Sequence, residues 1–154
     1  MGRQPQQVHI YPYRTTPEGK KEYAVFQRSD DPACRQGVCG GIENNETLED
    51  GARREVLEEA GITAPLPLYR SDSLSFLPAN IFHTRRQRAR GGDVVVVPMY
   101  FFAMPFDGTI KLSKKHLACR WLDFESAHSL VYYADQKIAL WELNERRRRG
   151  NLER

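Results

Sequence analysis

Cysteine is scarce and odd in number, with only Cys34, Cys39 and Cys119 in 154 residues. The first residues, Met1-Gly2-Arg3-Gln4-Pro5, lack the apolar stretch of a secretory signal. Together these features argue against a disulfide framework and for reduced thiols in the cytoplasm. Cys34 and Cys39 have no interleaved histidine, and their spacing is not that of a zinc site. Long apolar runs are missing too. The longest, Val94 to Met104, is about half of what a spanning helix requires, so no membrane partner is expected. No internal repeat or low-complexity linker divides the chain, which reads as a single domain over residues 1–154. What is present is 40% hydrophobic and 28% charged residues, enough for a compact core and too apolar for disorder.

The net charge of +3 is unevenly spread. Between Gly40 and Ile62 stand Glu43, Glu46, Glu49, Asp50, Glu55, Glu58 and Glu59 against only Arg53 and Arg54, a net −5 inside a basic chain. The compensating charge gathers in Arg85 to Arg90 and Arg146 to Arg149. A concentrated acidic segment in a basic body points to a locally held cation and an anionic substrate drawn in by the surroundings.

Val8 to Tyr13 alternates and is aromatic-rich, which predicts a strand, with Pro12 placing it near an edge or bulge. Thr15 to Lys21 is turn chemistry, and Glu22 to Arg28 is a second strand completing a hairpin. Ser29 to Gln36 reads as a polar loop. Leu66 to Leu77, Val94 to Met104 and Ala118 to Leu122 read as strands, separated by an arginine-rich loop ending in Gly91-Gly92. Phe124 to Val131 and Asp135 to Arg149 read as helices, the second with Ile138, Leu140, Trp141 and Leu143 as its apolar side. Strands on both sides of a central helix, with further helices at the end, indicate a mixed α/β sheet between helical layers.

That central helix runs from Thr47 to Ala60. Thr47 can cap it with Asp50 in a capping-box-like pair, and Gly61 suits the left-handed residue that ends it. With Leu48 at zero, Ala52, Val56 and Ala60 fall at roughly 40°, 80° and 120° and define the core stripe. Glu55 and Glu59 fall near the edge of that same stripe, with Glu58 next door. Like charges at i and i+4 repel, and desolvation worsens the cost. One reading neutralises them with Arg53 and Arg54. The other gives them a divalent cation, since carboxylate oxygens with retained waters and substrate phosphates suit Mg²⁺. The preceding segment, Val38 to Thr47, reads as a glycine-turned loop whose backbone could approach a metal closely.

Gly40, Glu46 and then Arg54-Glu55-Val56-Leu57-Glu58-Glu59-Ala60-Gly61-Ile62 resemble the Nudix box, Gly-x5-Glu-x7-Arg-Glu-U-x-Glu-Glu-x-Gly-U, with every fixed position filled. The resemblance implies the Nudix fold, an α/β/α sandwich around a mixed sheet. It also implies hydrolysis of a nucleotide-like substrate assisted by Mg²⁺, with Mn²⁺ as the alternative. Glu55, Glu58 and Glu59 would be the metal-binding carboxylates, Arg54 and Glu46 would orient them, and the Gly40 carbonyl region would complete the site.

A weaker similarity embraces Gln27 to Pro32, the box, and His116 to Asp123. It is to the dihydroneopterin triphosphate / dATP pyrophosphohydrolase subgroup, whose products would be a monophosphate and pyrophosphate. It marks Arg28 and Lys115 as candidate substrate-binding residues. The sequence departs from that subgroup in having Cys34-Arg35 before Gln36, where an aromatic is usual. It departs again in having Lys115 where a further acid is usual. A protonated lysine cannot ligate a metal, so Lys115 would face a phosphate instead. ADP-ribose or a nucleotide sugar is the alternative substrate class, and a non-catalytic nucleotide- or RNA-binding domain the alternative role. Intact glutamates favour the enzyme, and nucleic acid is not expected as a partner. A homodimer is compatible with the sequence.

His116 and His83 are candidate acid–base groups, although a lone histidine is more often structural. Arg85 to Arg90 suits either a triphosphate or a solvated loop. Arg146 to Arg149 is explained by the helix dipole, and Trp121 and Trp141 read as core residues.

Overall fold

The computed structural model describes residues 3–63, 65–82 and 93–153. His83 and the Arg85 to Arg90 stretch lie outside them. The strands are β1 (Arg3–Thr15), β2 (Lys21–Arg28), β3 (Arg35–Gln36), β4 (Val38–Glu43), β5 (Tyr69–Pro78), β6 (Val96–Pro105) and β7 (His116–Leu122). The helices are α1 (Leu48–Ala60), α2 (Phe124–Leu130) and α3 (Ala134–Arg149), with a short 3₁₀ turn at Ala79–Ile81. All seven strands form one sheet, in which the order β3-β2-β1-β6-β5 is completed by β4 beside β1 and β7 beside β2. The β1–β6 pairing is parallel and the others are antiparallel, so the sheet is mixed.

Period-2 alternation sorts the side chains into two cores. Val8, Ile10, Ala24, Phe26, Phe102 and Met104 face α1 through Ala52, Val56 and Ala60. Tyr11, Tyr23, Val25, Met99, Phe101 and Ala103 face α2 and α3 through Ala127, Ala139, Leu140 and Leu143. The expected α/β/α sandwich is what the structure has.

Several local expectations need correction. The stretch after Gly37 is strand, not loop. Val38 and Ile42 bury on the α1 side, and the adjacent glycines Gly40 and Gly41 concealed the alternation. The polar loop before it ends in the two strand residues of β3. Pro12 marks no outer edge, because β1 is flanked on both sides. It lies between the last β1–β4 pair, Ile10 with Val38, and the first β1–β2 pair, Tyr13 with Tyr23, so its missing N–H falls where one neighbour hands over to another. On α3, Ile138 and Trp141 are exposed, at 61% and 51%. The buried residues are Gln136, Ala139, Leu140 and Leu143, whose i, i+3, i+4, i+7 spacing is the true docking stripe. Trp121 does pack against the α1-side core, with the Arg14 guanidinium 4.3 Å above its ring.

Candidate functional site

Helix α1 is fixed at both ends. The Thr47 hydroxyl accepts from the Asp50 amide, and Gly61, at φ 69°, takes the left-handed conformation and returns its N–H to the Leu57 carbonyl. So anchored, the helix turns Ala52, Val56 and Ala60 into the core, and the register carries Glu55 and Glu59 inward with them. Both glutamates are only 2% exposed.

Glu55 lies against β4 at Gly40. A Cβ on Gly40 would stand 2.0 Å from the Glu55 carboxyl carbon, so only glycine leaves room for that carboxylate. Glu55 Oε1 accepts from Arg54 Nη1 at 2.8 Å, whereas Oε2 is buried with no hydrogen-bond partner. Burial, followed by the charge of Glu59, pushes the Glu55 carboxyl up to about 7. The neighbouring Cys39 thiol is pushed up to about 12 by burial and then by the same two carboxylates.

Arg54 organises the outer side of this pair. Its Nε and Nη2 donate to the two Glu46 oxygens at 2.6 and 2.9 Å, and Nη2 also reaches the Gly41 carbonyl at 2.8 Å. Glu46 Oε1 accepts in turn from the Glu43 amide at 2.8 Å, closing the turn between β4 and α1. The bidentate fork fixes the guanidinium plane as well as its charge. Glu58 is more distant, half-exposed and 3.4 Å from Arg54 Nη1. Arg53 is turned away and donates to the Leu66 carbonyl.

Lys115 approaches from the turn before β7, and its Nζ lies 2.9 Å from Glu59 Oε1. Arg28 occupies the same end of the sheet, since it pairs with His116 across β2 and β7. It is held by Asp30 at 2.5 Å. The His116 ring is buried beside Phe26, and burial, then the charges of Lys115 and Arg28, depress it to about 4. These surroundings favour its neutral form.

The box residues Gly40, Glu46, Arg54, Glu55 and Glu59 are thus brought together, with Glu58 at the rim and Lys115 added from outside the box. Among the described residues no three His, Cys, Asp or Glu side chains converge as a ready metal cluster. The donor chemistry nevertheless fits a hard cation. Two buried carboxylates adjoin, Glu55 Oε2 has no hydrogen-bond partner, and Gly40 makes room for the Glu55 carboxylate. Two features escaped sequence reasoning. The absence of a Cβ at Gly40 is what makes room for the Glu55 carboxylate, and Lys115 Nζ lies 2.9 Å from Glu59. The adjacent glycines and the unusual lysine were the available signals.

A helix carrying inward glutamates, stapled by arginine to the turn before it on a mixed sheet between helical layers, defines a class of phosphoanhydride hydrolases. The NUDIX domain profile matches residues 6–141, and the chain belongs to the NUDIX family of hydrolases, which act on pyrophosphate bonds. It is 34% identical over 113 residues to the dihydroneopterin triphosphate diphosphatase of Escherichia coli K12, covering 72% of this chain and 75% of that protein. A crystal structure described as a NUDIX hydrolase, from Listeria monocytogenes, superposes with a TM-score of 0.86 at 30% identity, covering 98% and 99% of the two chains. The structure of the E. coli dihydroneopterin triphosphate pyrophosphohydrolase gives 0.73 at 23% identity, covering 94% and 99%, a likeness of fold.

Proposed function

We propose that the protein is a divalent-cation-dependent pyrophosphohydrolase that cleaves a nucleotide-like triphosphate to a monophosphate and pyrophosphate. The candidates are dATP, another nucleoside triphosphate or dihydroneopterin triphosphate. The observation that carries this reading is the buried Glu55–Glu59 pair. Two carboxylates held together out of water cost stability unless a cation joins them. The 34% identity to a dihydroneopterin triphosphate diphosphatase supports the substrate class.

In this reading Glu55 and Glu59, with Glu58 at the rim and the backbone at Gly40, hold Mg²⁺ or Mn²⁺. The bound cation supplies positive charge that polarises phosphate oxygens and eases ionisation of the attacking water. Water adds to a phosphorus, the bridging P–O bond breaks, and the leaving pyrophosphate takes the bond's electrons. Arg54 and Glu46 are positioning residues: Arg54, forked on Glu46, holds Glu55 Oε1 and leaves Oε2 as the oxygen that would be available to a cation. Lys115 and Arg28 bring positive charge to the same end of the sheet, where the phosphate chain would lie. The two flanking cations compensate an anionic substrate without any contribution from the base. The three thiols suit a reducing, cytoplasmic setting, and no described helix is long and apolar enough to cross a membrane.

The test is a panel of triphosphates, ADP-ribose and nucleotide sugars with Mg²⁺, with product analysis that separates pyrophosphate from orthophosphate. Pyrophosphate release from a triphosphate, abolished by chelation, is the expected result. Turnover confined to ADP-ribose or a nucleotide sugar would reassign the substrate, and tight nucleotide binding without turnover would remove the enzymatic reading.

A further inference from the structure

Lys115 lies outside the box, and its contact with Glu59 is not what holds the start of β7 in place. The Lys115 backbone is secured independently: its carbonyl accepts from the Ser29 amide at 2.9 Å, and its amide donates to the Ser113 hydroxyl at 3.2 Å. Its side chain is 52% exposed, whereas that of Glu59 is 3% exposed. A long, half-solvated ammonium therefore reaches inward to a carboxylate that cannot reach outward. On the other side of the pair, Glu55 Oε2 is buried without a hydrogen-bond partner. The pair thus has one resident ammonium, in contact with Glu59 and close enough to act on Glu55, and a buried Glu55 oxygen that no hydrogen bond uses.

We propose that Lys115 is a tethered counter-cation of Glu59 that must leave this carboxylate before a divalent cation can bridge the Glu55–Glu59 pair. It therefore couples cation entry to the arrival of the polyphosphate. The inference rests on the metal-site reading above. In the free protein the ammonium stands 2.9 Å from Glu59 Oε1 as its counter-charge and repels a second cation approaching the same oxygens. When a phosphate chain enters, the ammonium has a competing anion within reach. A lysine on a flexible stem can transfer to it as a point charge, with little loss of geometry. Glu59 would then be available to hold a divalent cation, with the phosphate oxygens as further ligands. Lys115 acts here as a positioning residue.

The experiment measures Mn²⁺ binding by electron paramagnetic resonance, alone and with the α,β-methylene analogue of a nucleoside triphosphate. It uses wild type, Lys115→Met, Lys115→Arg and Glu59→Gln. Lys115→Met should tighten Mn²⁺ binding in the absence of the analogue by about tenfold, the scale of one half-screened charge interaction. It should also shrink the enhancement that the analogue produces, and Lys115→Arg should restore wild-type behaviour. A second readout needs no metal. In EDTA, the melting-temperature changes of Lys115→Met and Glu59→Gln should be non-additive in the double variant. If Lys115→Met leaves Mn²⁺ affinity within about twofold of wild type while Glu59→Gln weakens it, the inference fails and the metal site stands. If no variant binds Mn²⁺ with or without the analogue, the metal-site reading fails and takes the inference with it. Additive melting shifts would overturn the ion pair itself.

Discussion

Glu59 is under two opposed demands, repulsion from Glu55 on the same helical stripe and attraction to the Lys115 ammonium 2.9 Å away. Glu59→Gln removes both at once and keeps a good helix former in place. Turnover should fall by about 10² or more, the scale of lost charge stabilisation at a phosphoryl site. The metal-free melting temperature should stay close to wild type, because relief of repulsion offsets the lost ion pair. Steady-state kinetics and a melt in EDTA check both halves, and a near-normal Mg²⁺-dependent rate would remove Glu59 from the site. Gly40 offers a sharper probe. Gly40→Ala forces the Glu55 carboxylate off β4, since the new Cβ would stand 2.0 Å from its carboxyl carbon. The expected outcome is a drop in kcat of about tenfold or more with a modest stability loss of about 1–3 kcal/mol. Unchanged kcat would mean that catalysis uses another Glu55 conformation.

At the scale of elements, α3 docks through two different chemistries. Leu140 and Leu143 enter the core, while Glu142 accepts from the Asp72 and Ser73 amides and the Ser73 hydroxyl of β5 and pairs with Arg146 at 2.7 Å. Burial alone would raise the Glu142 carboxyl, but the Ser73 and Arg146 hydrogen bonds and the two amides outweigh it and hold it at about 2. A carboxylate depressed in the folded state stabilises fully above its unfolded value of 4.5, and the gain is lost as pH falls towards 2. Acid unfolding of Glu142→Gln should therefore lack that part of the slope, with a loss near neutral pH of about 1 kcal/mol after allowance for solvent screening. The apolar half is tested by contrast: Leu140→Ala should cost about 2–5 kcal/mol in denaturant unfolding, whereas Trp141→Ala should stay within about 0.5 kcal/mol. The same helix shows where sequence reading stops. Its existence and limits were legible from its apolar residues, but its buried stripe contains Gln136 and Ala139, which no hydrophobicity pattern singles out. Likewise α1 was legible to its caps, because Thr47, Asp50 and Gly61 are local signals. Strand β4 was not, because two adjacent glycines replace the side chains that would have shown its alternation. Of the site, the inward turn of Glu55 and Glu59 followed from helical angle alone. The Lys115 contact depends on a turn that only tertiary packing positions.

For the whole molecule, the sheet separates a core packed on α1 from a core packed on α2 and α3, with the acidic segment and the proposed site on the α1 side. In the proposed function the pair must be ionised to hold its cation. Without a cation, burial and then the charge of Glu59 push the Glu55 carboxyl up to about 7, so proton and cation compete for it. Activity should therefore rise from about pH 6 to above about pH 8 in a Mg²⁺-saturated assay, since the attacking water must also lose a proton. A flat profile would mean that a step other than chemistry limits the rate. The parallel seam between β1 and β6 has a further consequence, for the order in which the protein is made. Gln7 pairs with Met99 and Tyr13 with Pro105, so one whole side of β1 has no partner until the ribosome has released nearly two-thirds of the chain. Such non-local pairing is slow to form and leaves a sticky strand waiting. Hairpin contacts with β2 and β4 can shelter only the opposite side meanwhile. A nascent chain stalled before Val96 should be captured by a chaperone, while one extended beyond Pro105 and clear of the exit tunnel should not.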